Sequence, residues 1–551
     1  MTSRQSVRRW VRHGSTHTLL MLVGGSLVLF VLLFFLLPGK EGSSHVALPT
    51  PADTASPAPA PASSTNTLFL YCAAGIRYAI EPVVKEYQEA YGVAVQVQYG
   101  GTNTLLSQLE VAQTGDLFLA ADESYVKLAR EKDLVREVLP LASMKPVVAV
   151  KAGNPLRIQT ISDLLREDVK VSLGEPEAAA VGKLTQRLLS ASGHWSALNE
   201  RVKVSGVFKP TVNDIANAIQ VGSVDAGIVW DSTVVQYPEL QRVDLPELDA
   251  GLSRIELAVC RFARDPTAAL RFARYVAAED KGLATFRSAG FDTVAGDAWS
   301  ERPELTLFAG AVNRAALEPV VAEFAQREGV TVNAVYNGCG VLTATMRGIQ
   351  AGQTGVFPDV YMPCDRYYLE AVGELFDTGT DVVDTDIVLV TATGNPKAIR
   401  SLPELLKPGV RVVLGEPDKC TIGVLAKRLL QSENLYESLV SSGNLVNQTT
   451  SSALLVPQVL TGAADVVLAY RTDTRAESNR LDVVSLDSPL AKAIQPISLA
   501  RSTDQPQLGL RLIEFIARSR NAFEQRGFNW RLGSDENLRE THRPRSANDG
   551  T

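Results

Sequence analysis

Three of the five cysteines in this 551-residue chain, Cys339, Cys364 and Cys420, fall in its second half, within the turn-like stretches YNGCGV, MPCDR and PDKCTIG. Three thiolates brought together by folding would ligate a soft metal such as zinc or copper(I), or a thiophilic oxyanion such as arsenite, and helix N-termini would lower their pKa. The neighbouring Asp365 or Asp418 would complete such a shell. Two other readings stand beside this one: a pair joins as a disulfide in an oxidising compartment, or the thiols are small packing groups. The spacing matches no recognised zinc pattern. Nucleophilic chemistry has less support, because a catalytic cysteine wants a base, most often histidine. The histidines are His13, His17, His45, His194 and His542, none of them within 301–532. Asp365 or Asp418 would have to serve instead. No Gly-x-Ser-x-Gly, P-loop or His-Glu-x-x-His sequence occurs, so binding rather than catalysis is expected. Cys72 is expected in the first copy's opening turn, and Cys260 inside an apolar strand as a core residue.

The elements that must position these residues are written twice. Residues 67–293 return as 306–532, with EPVV at 81–84 and 318–321, Tyr99 and Gly101 as Tyr336 and Gly338, and Gly153-Asn154-Pro155 as Gly394-Asn395-Pro396. Gly174-Glu175-Pro176 returns as Gly415-Glu416-Pro417, and Gly290-Phe291 as Gly527-Phe528. So long a period means duplicated domains rather than a solenoid. The three cysteines then stand where the first copy has Thr102, Ala121 and Ala179. A 45% hydrophobic content supports two cores, expected at 67–300 and 301–532. The net charge of -7 is mild, and the basic residues beyond residue 12 are dispersed, which excludes a nucleic-acid footprint.

Ahead of the modules, residues 19–37 form an apolar run long enough to span a bilayer, preceded by Arg4, Arg8, Arg9 and Arg12. The positive-inside bias keeps residues 1–18 cytoplasmic and places the modules outside, in a periplasmic or extracellular space. The run is longer than a signal-peptide core, which favours an uncleaved anchor. Residues 38–66, rich in Pro, Ala, Ser and Thr, read as a tether, and 533–551 as a disordered polar tail.

Within the first copy, β-rich runs (LFLYCA, VAVQVQYG, DLFLAA, KPVVAVK, VKVSLG, AGIVW, RIELAVC) alternate with amphipathic stretches such as IEPVVKEYQEAY, and the second copy repeats the pattern, with VKVSLGEP answered by VRVVLGEP. That alternation predicts α/β modules with mainly parallel sheets. Gly-rich turns open several helices: CAAGIR, YGGTNT and GEPEAAAVG, answered by FAGAVN, YNGCGV and GEPDKCTIG. Helix N-termini present unpaired N–H groups and a positive dipole end to anions, although each turn taken alone is explained by geometry.

The order and spacing of these turns resemble the periplasmic molybdate-binding proteins of ABC importers, a family with the type II periplasmic-binding-protein fold of two lobes around a cleft. The resemblance implies a small-anion ligand and an ABC permease partner. It also implies an oxyanion held by a Ser in each of the first two turns, two N–H groups of the far lobe and a Tyr hydroxyl. By position the first copy offers Gly75, Thr102, the N–H groups of Val181 and Val212, and Trp230; the second offers Val312, Cys339, the N–H groups of Ile422 and Ser452, and Tyr470. Neither keeps the full donor set. Arg77 and Arg314, two residues past the first Ser position, are candidate replacement donors, with solvated first-turn arginines as the plainer reading. The resemblance places all three cysteines at the second cleft, Cys339 and Cys364 from one lobe and Cys420 from the other. A receptor or scaffold that kept the fold and lost uptake is the alternative function, followed by a cysteine-dependent enzyme.

Overall fold

The computed structural model describes residues 67–533. The expected membrane segment at 19–37, the tether and residues 534–551 of the tail lie outside the described residues. Among the described residues no helix is long and apolar enough to cross a membrane.

Among the described residues two large hydrophobic cores form, one built from Leu68 to Phe291 and one from Leu305 to Phe528, and a smaller cluster around Phe308, Tyr361 and Phe376 adjoins the second. In the first module β1 (Thr67–Ala73) pairs in parallel with β2 (Ala94–Gly100) and β3 (Leu117–Ala120). The helices Arg77–Tyr91 and Thr102–Ala112 make the crossovers. In the first of these Ala79, Ile80, Val83, Val84 and Tyr87 are buried, the helical spacing read from the sequence. The chain leaves this lobe between β4 (Val135–Met144) and β5 (Pro146–Lys151). The second lobe adds β6 (Val171–Gly174), β7 (Val207–Lys209), β8 (Ala226–Trp230) and β9 (Leu240–Val243) in the order β7-β6-β8-β5-β9. β10 (Ser253–Cys260) then returns to the first lobe and runs antiparallel between β3 and β4, where Cys260 is fully buried, and the short β11 (Asp292–Thr293) pairs with β4.

The expectation of mainly parallel sheets is therefore corrected: both sheets are mixed. Strands linked by helices run parallel, whereas the strands that carry the chain between lobes enter against that direction.

The second module repeats the plan with β12 (Glu304–Gly310), β13 (Thr331–Asn337) and β14 (Val360–Met362) in one lobe. β16 (Val412–Gly415), β17 (Leu445–Thr449) and β18 (Val466–Tyr470) lie in the other. Its crossing differs. In the first module the ladder breaks at Lys145, whose N–H and C=O both turn to Asp231. In the second, β15 (Thr380–Ala392) passes through unbroken. Its first half pairs with β20 (Lys492–Leu499) and its second half with β18 and β19 (Leu481–Ser485).

The repeated sequence motifs prove to be local geometry. Asn154 and Asn395 take left-handed φ of 45° and 42°, and each side chain bonds both backbone groups of the residue four further on, Ile158 and Ile399. A Cβ on Gly174 would lie 2.9 Å from the N of Gly182, and one on Gly415 2.7 Å from the N of Gly423, so each strand end needs glycine to meet its helix.

The modules are joined by a buried ion cluster. Glu328, 2% exposed, pairs with Arg511 at 2.7 Å and with Arg274 of the first module at 3.2 Å. Burial alone would raise the Glu328 carboxyl, but the two guanidiniums outweigh it and hold the group below its ordinary pKa. Asp297 of the first module accepts the N–H groups of Gln507 and Leu508 at 2.7 and 3.0 Å, capping the helix Pro506–Arg518 of the second.

Candidate binding clefts

In the first module the turns that end β1, β2 and β6 face the start of the helix Val212–Gln220 and the end of β8. They enclose a cavity of about 20 Å³ whose lining includes Gly75, Thr102, Val181, Val212 and Trp230. The five positions nominated by resemblance do converge. Yet the space holds roughly one water molecule, and Trp230, 1% exposed, is what fills it. A Cβ on Gly75 would sit 2.8 Å from Val212 Cγ1 and 3.4 Å from Trp230 Cδ1, so a serine there would collide with the far lobe. The lobes also touch by backbone: Asn103 donates from its N–H and its side chain to the carbonyls of Ala178 and Glu177, at 3.3 and 2.6 Å.

The second cleft is built from sulfur. Cys339, fully buried, opens the helix Cys339–Gln350, and Cys364 follows β14. The Cys364 N–H donates to Cys339 Sγ at 3.0 Å. A Cβ on Gly310 would collide with the Cys364 sulfur and lie 2.9 Å from that of Cys339, so both sulfurs converge on one strand end. Asn313 donates its side-chain amide to the carbonyls of Met362 and Pro363 at 3.1 and 3.2 Å, and Gln495 donates to that of Cys364 at 2.9 Å, pinning the turn.

The electrostatics separate the two sulfurs. Hydrogen bonding from Cys339 holds the Cys364 thiol below its ordinary pKa against the opposing effect of burial, helped by the Thr421 hydroxyl and the Val312 N–H. Burial pushes Cys339 up. Cys364 is thus the more acidic of the two thiols.

From the far lobe come Thr421, at the start of the helix Thr421–Ser432, and Tyr470, at the end of β18. Both are buried, and neither hydroxyl has a hydrogen-bond partner of normal geometry, although Thr421 lies close enough to the sulfurs to stabilise their ionised forms. Burial raises the Tyr470 pKa, and Cys364, Cys339, Asp365 and Asp473 raise it further. Ile422 is fully buried in the first turn of its helix, and Ser452 begins the short turn that follows β17, hydrogen-bonded to Asp473.

Several expectations are corrected. All five cysteines are free, so the disulfide reading does not hold. Among the described residues no three His, Cys, Asp or Glu side chains are placed to hold a metal ion, so Cys339, Cys364 and Cys420 do not form the expected three-thiol site. The reason is the Cys420 rotamer: its thiol donates to the carbonyls of Glu416 and Thr449 in its own lobe, at 3.5 Å each. Asp365 is neither base nor ligand, since its oxygens accept the N–H groups of Tyr367 and Ile494, and Asp418 is exposed.

Arg77 and Arg314 are not anion donors. Each is more than half exposed, pairs with the glutamate one turn on (Glu81, Glu318) and lies over the ring of Tyr99 or Tyr336. Thr421 and Asn313 were missed by the sequence reasoning. Their signal was a polar residue where the first copy has Ala180 and Ile76.

Comparison with known proteins agrees with the two-module reading. The family described as bacterial extracellular solute-binding protein matches residues 68–292 and again 305–529. A binding-protein relative from Haemophilus influenzae is 28% identical over 165 residues, 30% of this chain and 66% of that one. The molybdate-binding protein ModA of Mycobacterium tuberculosis is 26% identical over 217 residues, 39% of this chain and 80% of that one. Among solved structures, the periplasmic molybdate-binding protein of Azotobacter vinelandii covers 41% of this chain and 98% of its own at 15% identity, with a TM-score of 0.35. With both halves matched nearly end to end, the chain belongs to the bacterial extracellular solute-binding protein family, as a tandem of two modules.

Proposed function

We propose that this chain is a membrane-anchored, extracytoplasmic solute-binding component that captures a small solute in its second module and presents it to an ABC permease. One observation carries the choice of module: the Thr421 and Tyr470 hydroxyls are buried without partners opposite the Cys339–Cys364 pair. A buried polar group left unsatisfied costs about 1–3 kcal/mol, and a solute between the lobes would remove that cost at Tyr470. Closure around it would be the signal a permease reads. Molybdate itself fits poorly, because neither serine of the resembled donor set is present. The first module, its cleft filled by Trp230, binds oxyanions weakly and serves chiefly as a fixed platform.

The filled first cleft and the ion cluster locking the modules also favour a second reading, a receptor in which only the second module senses solute. The reduced full-length chain should be screened by thermal shift against molybdate, tungstate, sulfate, zinc, copper(I) and arsenite. A specific binder raises Tm in proportion to its excess over Kd. A rise with at least one solute, lost in Tyr470→Phe, is expected; a flat response to all six contradicts capture.

A further inference from the structure

Resting on that reading of the second cleft, we propose that its solute is the neutral oxyacid of a trivalent, thiophilic element of the arsenic group, condensed onto Cys339 and Cys364 and held through its remaining oxygen by Thr421 and Tyr470.

Three features of the site select this class. The sulfurs come as a pair facing one strand end, with Cys420 turned into its own lobe, so the site supplies two soft ligands. The far lobe supplies hydroxyls that lack partners and call for an oxygen on the bound species, which a bare soft cation would not provide. The ionisable groups facing Tyr470, namely Cys364, Cys339, Asp365 and Asp473, are all acidic, and the cation nearby, Arg428, faces Asp365. A buried, acid-lined site disfavours a charged oxyanion and admits a neutral one.

The chemistry balances without oxidation or reduction. Two sulfur–arsenic bonds form and two arsenic–hydroxyl bonds break; each thiol proton leaves with a hydroxide as water, and one hydroxyl stays on the arsenic. Cys364, the more acidic thiol, reacts first, its proton leaving with the first hydroxide. Cys339, whose Sγ accepts the Cys364 N–H at 3.0 Å, reacts second in the same way.

The test uses the full-length chain under a non-thiol reductant, titrated calorimetrically with sodium arsenite. One arsenite should bind per chain, and intact mass should show one arsenic retaining one hydroxyl. Alkylation mapped by mass spectrometry should show Cys339 and Cys364 protected by arsenite, with Cys420 unchanged. Cys339→Ser and Cys364→Ser should each weaken binding by at least about 100-fold, Thr421→Val and Tyr470→Phe by about 10-fold, and Cys420→Ser by less than about 3-fold.

The alkylation map on the unmutated chain decides the matter even if a cysteine variant fails to fold. Loss of binding in Cys420→Ser with the fold retained, or protection of all three thiols, would establish a three-sulfur site and overturn the proposal. Silence with arsenite while another solute of the screen binds, sensitive to Tyr470→Phe, overturns the proposal and leaves the second cleft as the binding site. Silence with every solute removes both.

Discussion

The two modules share a fold and differ in what fills the gap between their lobes. In the first, a tryptophan does: Trp230 lies against Gly75, and the remaining space is about 20 Å³. In the second, Tyr470 stands where Trp230 would be and Val312 where Gly75 would be, a smaller ring opposite a larger first-turn residue. Beside them lie two sulfurs and the buried hydroxyls of Thr421 and Tyr470. The same frame therefore holds an apolar plug in one case and a cluster of sulfurs and hydroxyls in the other.

The crossings differ in the same sense. The first module breaks its strand at Lys145 and ties it to Asp231, while the second runs β15 through both lobes. A continuous strand couples the lobes of the module that is proposed to close on a solute.

The comparison can be broken at the joint between the modules. Glu328→Gln leaves Arg274 and Arg511 buried without a counter-charge, a change that costs about 3–5 kcal/mol in such settings. The expected result is a large fall in Tm with two separated unfolding steps by calorimetry; a single unshifted transition would show that the modules do not depend on the cluster. Because the Glu328 carboxyl is held low, its contribution is present above the ordinary carboxylate range near about 4. It disappears as pH falls below that range.

A swap sharpens the comparison. Gly75→Val alone overpacks the first cleft against Val212 and Trp230 and should cost about 1–3 kcal/mol by denaturant unfolding. Adding Trp230→Tyr should recover most of the loss, and additive costs would show that the two positions are not a matched pair.

The smallest effect is at Asp473, whose buried carboxyl is pushed up to about 6 by desolvation. A raised folded-state pKa stabilises the fold at low pH, and that contribution is lost as pH rises through it. Asp473→Asn should therefore raise Tm by a few degrees at about pH 7.5 and leave it unchanged at about pH 4. Equal shifts at both would contradict the assignment.

Much of this was legible in the sequence. The duplication, the strand runs and the helical spacing of Ile80, Val83, Val84 and Tyr87 follow from periodicity, and five resemblance-placed residues do line one cavity in the first module. Strand direction was not legible, because alternation says where a strand is and not which neighbour it meets. Nor were the outcomes at Arg77, Arg314 and Cys420. Those turn on which way a side chain leaves a helix start, and a local partner decided it: Glu81, Glu318 and the Glu416 and Thr449 carbonyls. The burial of Thr421 and Asn313 opposite their apolar counterparts was visible only by laying the two copies side by side.

The most direct test of the asymmetry is hydrogen–deuterium exchange on the reduced full-length chain, with and without arsenite or whichever solute of the screen raises Tm most. Slowed exchange is predicted in the first turns of Cys339–Gln350 and Thr421–Ser432, with no change in the matching turns of Thr102–Ala112 and Ala180–Ala191. Protection centred on the first module's turns, or equal in both, would contradict the claim that the second cleft is the one that captures solute.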